Sequence, residues 1–254
     1  MTTEKIQILG INIDTASLDA LIEKSNSAIK KRGKIIHFAC ANAHSVITAQ
    51  KNTEFFEALN NAEIVSADGS GITFMARVVS DEVPPRITGH DYFHSLLTKL
   101  NNSGGGRIFF FGSTEKVLNL IRKNLPQIFP NIEIAGTLSP PFREWSDDEN
   151  DQMVNKINSA KADILWVGMT APKQETWVYK NRNKLNTPII GSVGAVFDFM
   201  AGTHPKAPDW MSKLGIEWIY RIMREPRRMG RRNLISIPKF VIAVIYSHIF
   251  NKNK

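Results

Sequence analysis

Six short runs rich in β-branched and aromatic residues, at 35–39, 64–67, 107–112, 132–135, 164–168 and 189–193, recur along the chain. Longer stretches with helical periodicity separate them, at 43–60, 90–100, 114–127, 147–160 and 173–185. A short continuous apolar run bounded by turn residues suits a strand buried on both faces. Regular alternation of such strands with helices predicts an α/β fold: a largely parallel sheet with helices on both faces. Two helices have recognisable starts, Ser113 ahead of Glu115 and Ser146 ahead of "DDEN", each with carboxylates near the positive end of the helix dipole. The opening "KIQILGINIDTAS" alternates apolar and polar positions and predicts an edge strand or hairpin.

Breaks at "SDEVPPR" and "NNSGGGR" divide the α/β core, 1–204, into two halves around 80–106. From about Pro205 the strand–helix rhythm stops, and 205–254 reads as a helical, basic appendage. Charge makes the same division. The chain carries a formal +8, and residues 219–254 hold nine Lys/Arg against one acid, so the first 218 residues balance to zero. On a helix, Arg221, Arg224, Arg228, Arg231 and Arg232 fall within an arc of roughly 100° beside Trp218, Ile219 and Ile222. One basic face beside apolar residues suits an anionic membrane surface or a phosphorylated ligand; a merely solvated face is the plainer alternative. The apolar run that follows, 234–250, contains Pro238, Lys239 and His248. At about 17 residues it falls short of the roughly 20 that a spanning helix needs.

Several classes are disfavoured. A single cysteine, Cys40, allows no internal disulfide and fits a reducing compartment. The amino terminus lacks the basic and apolar regions of a signal peptide. No Cys or His cluster has metal-ligand spacing, and the acidic "SDDEND" suits a solvated helix start. G-x-G-x-x-G, the Walker loop and G-x-S-x-G are all missing, as are helix-turn-helix, zinc-finger and RNA-binding strand patterns. The expectation is therefore no metal, no cofactor and no nucleic acid.

In open parallel sheets, ligands bind beyond the carboxyl ends of the strands. The segments there are polar or glycine-rich: "CANAH", "DGSG", "GST", "GMTAPKQE" and "GAVFDFMAG". Asp68 follows a strand and precedes two glycines, Gly69 and Gly71, that let a substrate approach the backbone. It is a candidate general base, with a helix-capping role as the alternative. Lys173, Gln174 and Glu175 open a helix where a ligand's amide or hydroxyl groups could be read, or they are simply first-turn polar residues. Asn42 and His44 flank a strand end. Helix amino termini in such a crevice can hold a diphosphate.

Taken together, "ANAHSV", "ADGSGITFMAR", "RITGHDYF", "FFFGST", "VGMTAPKQETWVYKNR" and "GAVFDFMAGTHPKAPDWMSKLGIEWIYRIMREPRRMGRRN" resemble the WecG/TagA/CpsF family of bacterial glycosyltransferases over about 35–240. The resemblance implies a Rossmann-like, metal-independent, inverting hexosyltransferase. Such an enzyme moves a hexose, often N-acetylmannosamine or its uronic acid, from a UDP-sugar to a polyprenyl-diphosphate-linked acceptor in cell-envelope polysaccharide synthesis. It also implies a peripheral location at the cytoplasmic face of the plasma membrane. By matching motifs, Asp68 is the base, while Asn42, Gln174 and Asp198 line the nucleotide-sugar pocket. Arg86, with Arg221, Arg228 and Arg231 of the appendage, binds the donor or acceptor diphosphates. Cys40 stands where the family often has threonine, "SPPF" replaces a Gly-Tyr-Phe turn, and Thr170 replaces a usual glycine. These departures bear on the identity of the sugar. A non-catalytic, membrane-associated nucleotide-sugar binding module is the competing class, and monomer and homo-oligomer both stay open.

Overall fold

The computed structural model describes residues 5–204 and 231–251, with isolated positions 211, 220 and 223 between them. The chain opens with an antiparallel hairpin, β1 (Lys5–Ile8) and β2 (Ile11–Asp14), as the alternating pattern predicts. There follow α1 (Leu18–Lys31), β3 (Ile36–Ala41), α2 (Ala43–Ala49), α3 (Thr53–Asn60), β4 (Ile64–Ala67), α4 (Ser70–Val79), α5 (Gly89–Asn102) and β5 (Gly106–Gly112). Then come α6 (Glu115–Ile128), β6 (Ile132–Leu138), α7 (Asp147–Ser159), β7 (Ile164–Gly168), α8 (Lys173–Asn181), β8 (Ile189–Ser192) and α9 (Val196–Ala201). The last described element is the helix Arg231–Asn251, here α10.

The six expected strands form one parallel sheet in the order β4-β3-β8-β7-β5-β6. Both halves of the core contribute to it, because β8 returns to lie between β3 and β7. Period-two alternation sends successive side chains to opposite faces. Phe38, Ile64, Ile108, Phe110, Trp166 and Ile189 face a layer built from α1, α5, α6 and α9. On the other face, Ala39, Ala41, Val65 and Ala67 meet the hairpin, α2, α3, α4 and α10, while Phe109, Phe111, Leu165 and Val167 meet α7 and α8. This is the Rossmann-like, doubly covered sheet that the resemblance implies.

Several local expectations need correction. The single helix expected over 43–60 is two, because the Asn52 side chain accepts the Phe55 N–H and starts α3 afresh. Helices α1, α4 and α9 were not foreseen. The helix after β5 is capped by Thr114, whose hydroxyl accepts the Val117 N–H, and Ser113 sits one position outside with φ 55°. The helix expected to run to 185 ends at Asn181.

The closing helix packs against α2 and α4. Ser236, Phe240 and Val244, spaced by four, make one stripe that is buried there, with Phe240 at 0% exposure. The opposite side leaves Ile242, Ile245, Tyr246, Ile249 and Phe250 exposed. Among the described residues, no helix is long and apolar enough to cross a membrane.

Candidate active site

Connections decide where the sheet opens. The chain leaves β3 into α2 on one face, but leaves the neighbouring β8 into α9 on the other. The same divergence separates β5, leading to α6, from β7, leading to α8. Helices that part in this way leave a crevice beyond the carboxyl ends of the strands. A cavity of about 650 Å³ lies there, walled by the segments after β3, β4, β5, β7 and β8 and by the start of α5. That volume is within the range of small-molecule sites. The amino termini of α2, α5, α6, α8 and α9 all contribute wall residues, so several positive dipole ends border one space.

Asp68 is on this wall, held by its backbone N–H donating to Ala41 O at 2.8 Å. The cap of α4 is Gly69, at φ 101°, a left-handed geometry that favours glycine, so Asp68 is not the capping residue. Arg86 is brought alongside because its backbone pairs with Ala67 as a parallel bridge extending the end of β4. Ile87 N–H donates to Ala67 O at 3.0 Å in the same extension. The Thr88–Asp91 capping box then turns the chain into α5 beside Cys40.

Cys40 is half-buried, and its thiol accepts from the Ser66 hydroxyl at 3.5 Å. Burial raises its pKa well above the ordinary thiol value, and the neighbouring charges of Asp68, Glu175 and Asp91 raise it further, so the thiol stays protonated. Asn42 uses its side-chain oxygen to accept the Ser45 N–H at 3.0 Å, in a capping box that starts α2. Its backbone N–H donates to Ser45 Oγ at 2.7 Å to complete the box, and its side-chain Nδ2 takes no part in that cap. The Ser192 hydroxyl, on the cavity wall, meets His37 Nε2 at 2.9 Å. Burial drives His37 down to about 3, with Arg182 adding to the effect, so this histidine is neutral.

The turn from β7 into α8 carries the least expected feature. Met169 N–H donates to Gln174 Oε1 at 3.2 Å, and Gln174 Nε2 donates to Glu175 Oε1 at 2.8 Å. Glu175 is 2% exposed, and burial lifts its carboxyl to about 7 against the lowering effect of the Gln174 bond. Lys173 is drawn aside, its ammonium 4.0 Å from the centre of the Trp145 ring. Close approach of α9 depends on Gly168, where a Cβ would lie 2.5 Å from the Phe197 ring. Asp198, in the first turn of α9, borders the cavity, and its Oδ1 accepts from the Thr203 hydroxyl at 3.4 Å.

The structure thus gathers Cys40, Asn42, Asp68, Arg86, Gln174 and Asp198 around one cleft. Arg221 and Arg228 lie outside the described residues, and of Arg231 only the backbone, opening α10, is described. His44 also borders the cleft, with Nδ1 2.8 Å from Ser236 Oγ of α10. The sequence marks Glu175 as a candidate reader of ligand groups but does not mark its burial, nor the Ser192–His37 pair. Neither has a local signal, since both depend on partners distant in sequence.

A parallel sheet with a polar cleft at its switch points, bordered by helix amino termini and holding a carboxylate and an arginine, has the architecture of a Rossmann-like ligand-binding site. Comparison with known proteins is more specific. Residues 6–254 match the model of the glycosyl transferase WecG/TagA/CpsF family, and the chain belongs to that family of glycosyltransferases. The N-acetylglucosaminyldiphosphoundecaprenol N-acetyl-β-D-mannosaminyltransferase of Staphylococcus aureus strain MW2 is 29% identical over 243 residues, covering 95% of this chain and 92% of the relative. The enzyme of the same description from Bacillus subtilis strain 168 is 28% identical over 246 residues, covering 96% and 92%.

Proposed function

We propose that this glycosyltransferase moves a hexose from a UDP-sugar to a saccharide carried on a polyprenyl diphosphate, in synthesis of a cell-envelope polymer. The observation that carries the reading is Asp68, set beside Arg86 in a cleft bordered by five helix amino termini. The relatives' names supply the chemical classes: an N-acetylmannosaminyl group transferred to a diphosphoundecaprenol-linked N-acetylglucosamine.

In this reading the Asp68 carboxylate takes the proton of the acceptor hydroxyl as its oxygen attacks the anomeric carbon. The bond from that carbon to the diphosphate oxygen breaks, and configuration inverts in a single displacement. Negative charge develops on the departing UDP. Helix amino termini and Arg86 are fixed before reaction and favour that charge, which is where preorganised electrostatics lowers a barrier. Arg221, Arg228 and Arg231 add guanidinium groups, whose planar fork suits a diphosphate better than an ammonium does. Asn42, Gln174 and Asp198 border the nucleotide-sugar region, and the Cys40 thiol, being protonated, serves as uncharged lining.

Residues 1–204 act as the catalytic core and 205–254 as the unit that meets the membrane. Support comes from the exposed apolar face of α10 next to six arginines in 221–232. Anionic lipid attracts each basic residue near its surface by about 1 kcal/mol. The enzyme then works as a peripheral protein at the cytoplasmic face, where UDP-sugars and the lipid-linked acceptor meet. A second copy of the chain is the other candidate cover for the apolar face.

The test is UDP release from UDP-N-acetylmannosamine with a short-chain prenyl-diphosphate N-acetylglucosamine acceptor. Acceptor-dependent turnover is expected. Donor binding without turnover would instead identify a non-catalytic binding module.

A further inference from the structure

We propose that Glu175 is a specificity-determining residue of the donor site, hydrogen-bonding through Oε2 to a polar group of the transferred hexose. The inference rests on the reading of the cleft as a UDP-sugar site. Its basis is an incomplete hydrogen-bond relay. Met169 N–H, the Gln174 amide and Glu175 Oε1 form an unbroken chain that fixes the carboxyl at the turn from β7 into α8. Glu175 Oε2, the far end of that chain, is buried on the cavity wall and has no hydrogen-bond partner among the described residues. A buried polar oxygen left unpaired destabilises a fold, so its persistence at a cleft points to a partner that arrives with the ligand.

Position along the cleft selects which part of the ligand that is. Cys40, Asp68 and Glu175 line the same cavity, so Glu175 belongs to the wall that holds the proposed base. The transferred sugar must lie there, since its anomeric carbon is attacked by the hydroxyl that Asp68 deprotonates. Charge fits as well. Burial favours the neutral acid, and with Oε1 already accepting from Gln174, the acidic proton belongs on Oε2. A neutral carboxyl can donate to a sugar hydroxyl or an acetamido carbonyl without setting another negative charge beside Asp68 and the diphosphate. Gln174 then acts as a positioning residue, both ends of its amide being engaged by Met169 and Glu175.

The experiment is calorimetric titration of the full-length protein with UDP-N-acetylmannosamine and, separately, with UDP. Glu175→Gln keeps a carbonyl to accept from Gln174 and an N–H donor where the acid proton sits. It should bind both ligands within about twofold of wild type. Glu175→Ala should weaken the UDP-sugar about tenfold, the scale of one lost hydrogen bond, and leave UDP unchanged. Glu175→Asp, which withdraws the carboxyl by one methylene, should lose the same discrimination, and it carries the test if the alanine variant does not fold. Equal effects of Glu175→Ala on both ligands, no effect on either, or wild-type discrimination in Glu175→Asp would overturn the proposal. So would a UDP-sugar-specific loss in Glu175→Gln. A wild-type protein that binds neither ligand would overturn the donor-site reading itself, a result distinct from all of these.

Discussion

His44 Nδ1 and Ser236 Oγ lie 2.8 Å apart across 192 residues of sequence, joining the helix that opens the cleft to the last helix of the chain. The bond stands beside a larger apolar contact, because Phe240 and Val244 of α10 are buried with Ile72, Met75 and Ala76 of α4. The closing helix is therefore packed on the core as well as carrying an exposed face. Phe240→Ala should destabilise the protein by about 3–5 kcal/mol, the usual cost of emptying a fully buried phenylalanine site. Ser236→Ala should cost about 1 kcal/mol. Urea unfolding of the two variants measures the difference. By the same reasoning, a chain cut at residue 204 should be less stable than the whole, since the cut bares the bed of Phe240.

Asp68→Asn should leave the fold and UDP-sugar affinity near wild type and lower turnover by about a hundredfold or more, the scale of a lost general base. Acceptor-dependent UDP release together with donor titration checks both halves. Turnover near wild type would remove Asp68 from the proton transfer.

Glu175 gives a pH signature that needs no substrate. Its carboxyl titrates near 4.5 when exposed in the unfolded chain and about 7 in the native protein. Between those values the native state holds a proton that the unfolded state has released. Stability from this group is thus fully present below about 4.5, declines as pH rises to about 7, and is constant above. Glu175→Gln removes that dependence. The variant should gain thermal stability relative to wild type on going from pH 5 to pH 8, and parallel melting curves across that range would contradict the burial effect.

Much of this fold is legible in the sequence because doubly buried parallel strands are unbroken apolar runs. β4 and β7 coincide with their expected bounds for that reason. β6 extends to Leu138 rather than 135 because Gly136 and Thr137 interrupt the apolar pattern; Gly136 is needed where a Cβ would come 2.5 Å from the Phe109 ring. Helix α1 escapes notice because half of its buried face is polar: Ser25 and Asn26 lie inside, with Ser25 Oγ 2.7 Å from Tyr92 OH. Helix α4 has no side-chain cap to announce it. At the site, the motifs after the strands gather as position in the fold dictates. The burial of Glu175 is invisible beforehand, since a first-turn glutamate after proline is ordinarily solvated.

Metal removal tests the electrostatic assignment. Helix amino termini and arginines are given the task of favouring the departing diphosphate, a task that a divalent cation performs in other transferases. Turnover should therefore be unchanged by excess EDTA. Loss of activity on chelation, restored by magnesium or manganese, would show that a cation shares the load.

The carboxy-terminal segment has two proposed tasks, and point substitutions in the full-length chain separate them without disturbing its packing. Ile242→Glu with Ile249→Glu places charge on the exposed face of α10 and leaves the buried Phe240 and Val244 stripe intact. This double variant should lose affinity for vesicles containing anionic lipid while processing a soluble short-chain acceptor at the wild-type rate. Arg221→Lys and Arg228→Lys keep the positive charge that draws the segment to the membrane but remove the bidentate fork. They should bind vesicles nearly as well as wild type and turn over the soluble acceptor at least about tenfold more slowly, the cost of losing one good charge-assisted hydrogen bond. Normal turnover of the soluble acceptor by both lysine variants would leave the arginines as membrane anchors and assign the diphosphate to Arg86 and the helix amino termini alone.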